Sequence, residues 1–250
     1  MSNIKLVLAD LHGTVVPLES KIANREVDET LRKVQQKGVK ISTVRGQPYW
    51  LAGELMKSVG LVDPCIFDGG GAIADPISGD ILWHRELPAS TSRKVVDVLQ
   101  DCAHIAEYGA GVIEAGEIDA KSINWPTFSV WAKVPADQTP ELIDELSSLH
   151  GVSATTNSGP LCEELLEEVQ VTHCDADIDG ALTQLQRMLD VEPEETLAIG
   201  DGENDLYLFE HAGLKIAMGN ADDILKAEAD EVVSGLEDNG FVEAMNRFVI

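Results

Sequence analysis

Short, largely apolar runs at residues 4–9, 39–43, 65–67, 196–199, 215–218 and 231–233 alternate with amphipathic segments. Apolar runs of this kind mark strands buried on both faces. Residues 26–36 place Val27, Leu31 and Val34 on one helical face, with Gly38 as the stop. A second helix is predicted over 48–59, with Pro48 at its start. Later, Ala181, Leu182, Leu185, Met188 and Leu189 form one apolar helix face, and further helices are predicted over 205–212, 221–229 and 236–248. Strands and helices in this alternation predict parallel βαβ units and a doubly wound α/β sheet.

The rhythm changes in the middle. Residues 72–83 read as a hairpin, and 91–102 as a helix with Ser90 as N-cap. Residues 128–134 alternate like a half-buried strand, with Phe128, Val130, Ala132 and Val134 on one face. A helix over 140–149 and a strand over 169–172 follow. The pattern predicts an α+β domain over 84–170, inserted into an α/β core made of 1–83 and 171–250. Trp83, Trp125 and Trp131 are expected in the core of the insert.

The chain has 250 residues and 44% hydrophobic content, enough for one large or two modest domains. No apolar run reaches the ~18 residues of a membrane span, and the N-terminus leads into a strand without a signal-peptide pattern. Cys65, Cys102, Cys162 and Cys174 are scattered, with no close pairing. Free thiols and a cytoplasmic location are therefore expected. The formal charge of −26 argues against nucleic acid and anionic membranes as partners. It also repels a phosphate ester in the bulk, so a phosphate-handling site needs a cation and local donors.

Two acidic clusters stand at predicted strand ends. One is Asp10-Leu11-His12-Gly13-Thr14, the other Gly200-Asp201-Gly202-Glu203-Asn204-Asp205. The carboxyl edge of an open α/β sheet is where ligands bind, and gathered carboxylate oxygens suit a hard cation such as Mg2+. Alternating carboxylates at Asp175, Asp177 and Asp179 resemble the start of a calcium loop. Position twelve of that pattern is Gln186, however, so a solvated loop capping a helix is expected.

The opening cluster, the closing cluster and the later segment Ile216-Ala217-Met218-Gly219-Asn220-Ala221 resemble the haloacid dehalogenase superfamily. The resemblance is to its Cof-type, sugar-phosphatase-like branch with a large inserted cap, and it spans the whole chain. It implies a Rossmann-like core, a Mg2+ cofactor and a small phosphorylated metabolite as substrate, a sugar phosphate or a phosphoglycolate-like compound. It further implies that Asp10 is the nucleophile, forming an aspartyl-phosphate. Asp10, Asp201, Asp205 and the main-chain carbonyl of His12 would hold the metal. Thr43, Arg45 and Asn204 would face phosphate.

The chain departs from the pattern at two catalytic positions. His12 stands where related phosphatases carry an acid/base Asp, and imidazole, titrating near ~6.5, suits either role at neutral pH. Counting back from Asp201 to the family's phosphate-holding Lys reaches Ile178, flanked by Asp177 and Asp179. Lys121, Lys133 and Arg45 are the cations left to replace it. In addition, Val44 stands between Thr43 and Arg45 where a Gly is usual, and Gly69-Gly70-Gly71 occupies the place of an Asn-Gly-Ala loop. The alternatives are a pseudo-phosphatase that binds a ligand or protein, and altered chemistry on the same core.

Overall fold

The computed structural model describes residues 3–18, 20, 22–99, 105–108, 111–114, 128–157 and 166–250. Lys121, Trp125, Cys102, Cys162 and the end of the predicted 91–102 helix lie outside them. The chain runs β1 (Leu6–Ala9), α1 (Arg25–Gln36), β2 (Lys40–Ser42), α2 (Tyr49–Val59), β3 (Cys65–Phe67), β4 (Ala72–Ala74), β5 (Ile81–His84), α3 (Ala89–Leu99), β6 (Ile105–Tyr108) and β7 (Gly111–Glu114). It continues with β8 (Ser129–Pro135), α4 (Thr139–Ser147), β9 (Val152–Asn157), β10 (Leu166–His173), α5 (Ile178–Leu189), β11 (Thr196–Gly200), α6 (Leu206–Glu210), β12 (Leu214–Ala217), α7 (Asp223–Glu228), β13 (Glu231–Val232) and α8 (Gly240–Phe248). It divides into two compact units, Met1–Leu82 with Ile178–Ile250, and Trp83–Asp177.

The first unit is built on a parallel sheet of order β13-β12-β11-β1-β2. β1 is central and wholly buried, which is why its residues form an unbroken apolar run. α1 is capped by Asn24, whose side-chain oxygen accepts from the Val27 N–H, and it buries Val27, Leu31 and Val34. β3 does not become a full member of the parallel sheet. It meets the end of β2 through one bridge, Val44 to Ile66, and pairs antiparallel with β4 in a separate sheet of order β3-β4-β5. The cause is local: Asp68, Gly69 and Gly70 all take positive φ, turning the chain back immediately after Phe67.

One predicted helix face and one predicted helix extent are corrected. On α5, Ala181, Leu182 and Leu185 are buried, but Met188 sits exposed at the edge of that stripe. Gln186 is buried instead, because its Nε2 donates to Thr196 Oγ1 (3.0 Å) and to the His211 carbonyl (2.8 Å). The predicted 236–248 helix is a short 3-10 turn, a left-handed Asn239 (φ +57°), and then α8. The Asn239 side chain accepts from Asn24 and donates to Glu26, tying the head of α8 to that of α1.

The second unit holds a five-stranded antiparallel sheet of order β7-β6-β8-β10-β9, with α3 and α4. Its core includes Val95, Val96, Val130, Val134, Leu142, Leu146, Val169 and Val171. β10 belongs to this sheet through His173, so the second boundary falls after Asp177 rather than at 170. α3 begins at Ala89, before the expected cap Ser90, because the Pro88 carbonyl accepts from the N–H groups of Thr91 and Ser92. Trp83 and Trp131 are half-buried rather than core, and the Arg85 guanidinium lies 5.1 Å from the Trp83 ring centre. Among the described residues, no helix is long and apolar enough to cross a membrane.

Gln186→Leu keeps the side-chain volume close to the original but strips the His211 carbonyl of its buried donor. Loss of such a partner costs about 1–3 kcal/mol. Equilibrium denaturation should show that loss, with Tm lowered by roughly 2–4 °C per kcal/mol at this size. Unchanged stability would mean that the bridge between α5 and β11 carries no weight.

Candidate active site

β1 ends at Ala9 and delivers Asp10. Its neighbour β11 ends at Gly200 and delivers Asp201. The Asp10 N–H donates to the Ile199 carbonyl (3.0 Å), extending the ladder to the loop that carries the carboxylates. That loop is shaped by Gly13 at φ +95°, where a Cβ would stand 2.2 Å from Asp201 Oδ2. Only glycine admits both the conformation and the approach. Thr14 Oγ1 donates to Asp201 Oδ1 (3.0 Å), and Asn220 Nδ2 donates to the Gly13 carbonyl (3.0 Å) and to Asp201 Oδ2 (3.3 Å). Asp205 is buried one turn further on, and its Oδ2 accepts from the N–H groups of Asp201 (2.9 Å) and Gly202 (3.0 Å).

One ligand atom from each of Asp10, Asp201 and Asp205 lies within 4.8 Å of the others. Crowding and burial oppose their ionisation. Asp10 is held well above the usual carboxylate range, first by burial and then by the charges of Asp205 and Asp201; the Leu11 N–H and Arg45 act the other way. Burial pushes Asp205 up to about 6 in spite of its two backbone donors. Asp201 is raised mainly by burial, against hydrogen bonds with Thr14 and Asp10. Three carboxylates that share one space and resist carrying charge there fit a hard cation, which supplies the missing positive charge and takes oxygen ligands.

Thr43 and Arg45 follow β2 on the same edge of the sheet. Thr43 is fully buried with no hydrogen-bond partner for Oγ1, and Arg45 Nε is likewise buried and unpartnered. Such orphaned donors are rare and costly, so each marks a place prepared for an acceptor. The Arg45 backbone is pinned, donating to the Ile66 carbonyl and accepting from the Gly69 N–H. His12 is half-buried, and its imidazole pKa is lowered, first by burial and then by Arg45, so it is neutral at pH 7. Asn204 is exposed, with Nδ2 3.4 Å from Asp205 Oδ1.

No lysine stands at the start of α5. There Asp179 pairs with His211 Nε2 at 2.6 Å. Of the cations left to replace a lysine, Lys133 lies on β8 in the second unit, and Arg45 lies in the unit that carries the acidic cluster. The calcium-loop pattern does not continue: Asp175 and Asp177 lie in the short turn before α5, which begins at Ile178, and Gln186 is occupied in the core. A second group of donors, His173, Cys174 and Asp175, is formed by adjacent residues, and His173 Nδ1 already accepts from the Asp175 N–H (3.0 Å).

Sequence reasoning missed Thr14, Asn220 and Tyr207. The first two stand inside the quoted motifs, so the signal was present without a role attached to it. Tyr207 follows Asp205 by two positions on α6, and nothing in the local pattern marks it. Burial, then the charges of Asp205 and Asp10, keep its hydroxyl protonated.

Fold and site together define an α/β protein with an oxygen-rich acidic centre at the carboxyl edge of a parallel sheet. The model of the haloacid dehalogenase-like hydrolases matches residues 7–110 and 137–245. The chain belongs to that family. It is 23% identical to a phosphoglycolate phosphatase of Methanothermobacter thermautotrophicus, over 98% of this chain and 99% of that protein. It is 26% identical to a 5-amino-6-(5-phospho-D-ribitylamino)uracil phosphatase of Bacillus subtilis, over 99% and 97%. A phosphatase of the same superfamily from Bacteroides thetaiotaomicron superposes with a TM-score of 0.77 at 23% identity, covering 99% of this chain and 96% of that one.

Because the folded-state pKa of Asp205 is raised, its contribution to the stability of the metal-free chain is fully present below the unfolded value near ~4 and is lost as pH rises through about 6. Asp205→Asn removes that loss and retains an oxygen for the two backbone donors. Without metal, the variant should therefore gain on the parent between pH 4.5 and 7.5, by an amount of order 2 kcal/mol. Parallel pH–stability curves would contradict the raised carboxylate.

Proposed function

We propose that this enzyme is a Mg2+-dependent phosphatase of small phosphorylated metabolites, a sugar phosphate or a phosphoglycolate-like compound, working through an aspartyl-phosphate at Asp10. The observation that carries this reading is the meeting of Asp10, Asp201 and Asp205 within 4.8 Å at the ends of two adjacent parallel strands. The orphaned donors of Thr43 and Arg45 at the next strand end support it. The names of the phosphatase relatives agree with the substrate class. Asp10, Asp201, Asp205 and the His12 carbonyl would hold Mg2+, which supplies charge neutralisation between carboxylate and phosphate when bound.

In the first half-reaction an Asp10 carboxylate oxygen attacks phosphorus, and the bond from phosphorus to the ester oxygen breaks. The departing oxygen takes a proton from water, or from the fraction of His12 that is protonated. In the second half-reaction water attacks phosphorus, its proton passes to the neutral His12 imidazole, and the bond to Asp10 breaks, releasing inorganic phosphate. Thr43 Oγ1 and Arg45 donate to the phosphate oxygens, and Asn204 orients the shell around Asp205. A formal charge of −26 and, among the described residues, the free thiols Cys65 and Cys174 fit a cytoplasmic enzyme whose partners are neither nucleic acid nor membrane.

One observation favours a second reading, a pseudo-phosphatase that binds a ligand without turnover: Ile178 stands where the lysine is expected, and its neighbour Asp179 is engaged with His211. Phosphate release from a broad panel of phosphate esters separates the two. The expected result is turnover that requires Mg2+, is abolished in Asp10→Asn, and falls about 10²-fold in kcat in His12→Ala. No release above the Asp10→Asn background, with metal binding intact, would establish the second reading.

A further inference from the structure

Tyr207 stands on α6, two residues after Asp205, and the steps set out above give it no part. Resting on the function proposed there, we propose that Tyr207 is a further catalytic residue, whose phenolic hydroxyl donates a hydrogen bond to an oxygen of the phosphoryl group carried by Asp10. The local geometry starts from α6, which follows β11, the strand beside β1 in the sheet. His211 is the C-cap of that helix, four residues after Tyr207, and its Nε2 meets Asp179 Oδ1 at the head of α5 (2.6 Å). Residues four apart on a helix share a face. Tyr207 therefore lies on the side of α6 that looks to the head of α5, one turn closer to the acidic cluster. Ile178 holds the place of the expected lysine there and has no polar side-chain atom. Tyr207 brings a donor to the same region from the facing helix.

The side chain reaches across the carboxyl edge rather than out to solvent. Tyr207 is half-buried, and the charges that act on its hydroxyl are Asp205, Asp10 and Arg45. Asp205 lies in the turn after β11, Asp10 at the end of β1 and Arg45 past the end of β2, three neighbouring strands of the sheet. Among the described residues the hydroxyl has no hydrogen-bond partner. A phenol set beside two carboxylates, yet bonded to neither, keeps its proton free for an acceptor that arrives at Asp10. Phosphoryl transfer brings that acceptor, because charge spreads over the oxygens of the transferring group. A hydrogen bond to such an oxygen is charge-assisted and about twice as strong as one between neutral groups. The proton stays on Tyr207 throughout, so no bond forms or breaks at the phenol.

Tyr207→Phe removes the oxygen and keeps the ring. In the presence of Mg2+, kcat on an ester that the parent turns over should fall about tenfold or more, as expected for loss of a donor to a developing anion. Calorimetry with inorganic phosphate should show affinity reduced about tenfold, the scale of one hydrogen bond to a charged group. A third measurement uses the parent and does not depend on the folding of Tyr207→Phe. The chain has three tyrosines, so carbon-13 at tyrosine Cζ gives three resonances, and Tyr49→Phe and Tyr108→Phe identify that of Tyr207 by elimination. It should move when phosphate is added to the Mg2+-loaded parent. A folded Tyr207→Phe with kcat and phosphate affinity both within twofold of the parent overturns the assignment while the proposed function stands. A Tyr207 resonance indifferent to saturating phosphate overturns it as well. A parent without turnover, whose bound phosphate still moves that resonance, supports the contact and removes the proposed function instead. A parent that neither turns over esters nor binds phosphate overturns both.

Discussion

Three carboxylates that repel one another are held together at the ends of β1 and β11, and the rest of the site is arranged around that constraint. Two unit charges 4 Å apart interact by about 4 kcal/mol at the effective dielectric typical near a protein surface. The chain spends specific structure on keeping them there. Gly13 gives up its side chain to let Asp201 approach, Thr14 and Asn220 grip Asp201, and Asp205 is seated on two backbone N–H groups. Burial, and for Asp10 and Asp205 the neighbouring charges as well, still hold all three carboxylates above their ordinary range. On the function proposed above, such a centre would be completed by a cation.

The remaining electrostatics follow from that deficit of positive charge. The whole chain carries −26, so a phosphate ester gains nothing from the long-range field. Attraction has to be local. Arg45 is a positive charge that acts on Asp10 against Asp205 and Asp201, and after burial it also lowers the His12 pKa. A neutral imidazole is ready to accept a proton, and this bears on the exchange of an acid/base carboxylate for His12. The carboxylate would have added a further negative charge beside the cluster, whereas the imidazole adds none. With His12 and Ile178 at the two positions that depart from the family pattern, the charge pattern of the site differs from that pattern.

Much of this was legible in the residue pattern. The parallel core was readable because buried strands must be apolar throughout, as in Leu6–Ala9, and because strand and helix rhythms differ. The acidic motifs were readable because glycines and carboxylates at strand ends have few uses apart from a ligand site. Other features were hidden for physical reasons. Gln186 stood in the sequence only as position twelve of a calcium-loop comparison, yet it is buried because two acceptors, Thr196 Oγ1 and the His211 carbonyl, lie within reach only after folding. β3 read as one more parallel strand, but the positive φ at Asp68 sends it into another sheet, and an Asp gives little warning of that. Tyr207 was silent because its relation to Asp10 is made entirely by tertiary structure. Arg45 could not be separated from a surface cation until its buried, unpartnered Nε was seen.

The central claim is that Asp10 is a phosphoryl acceptor completed by Mg2+. Beryllofluoride, which mimics a phosphoryl group on a carboxylate, tests it without any knowledge of the substrate. Fluorine-19 NMR of the parent protein should show bound beryllofluoride resonances that require Mg2+ and vanish in Asp10→Asn. Bound resonances that persist in Asp10→Asn, or their absence from a parent shown to bind Mg2+, would contradict the account.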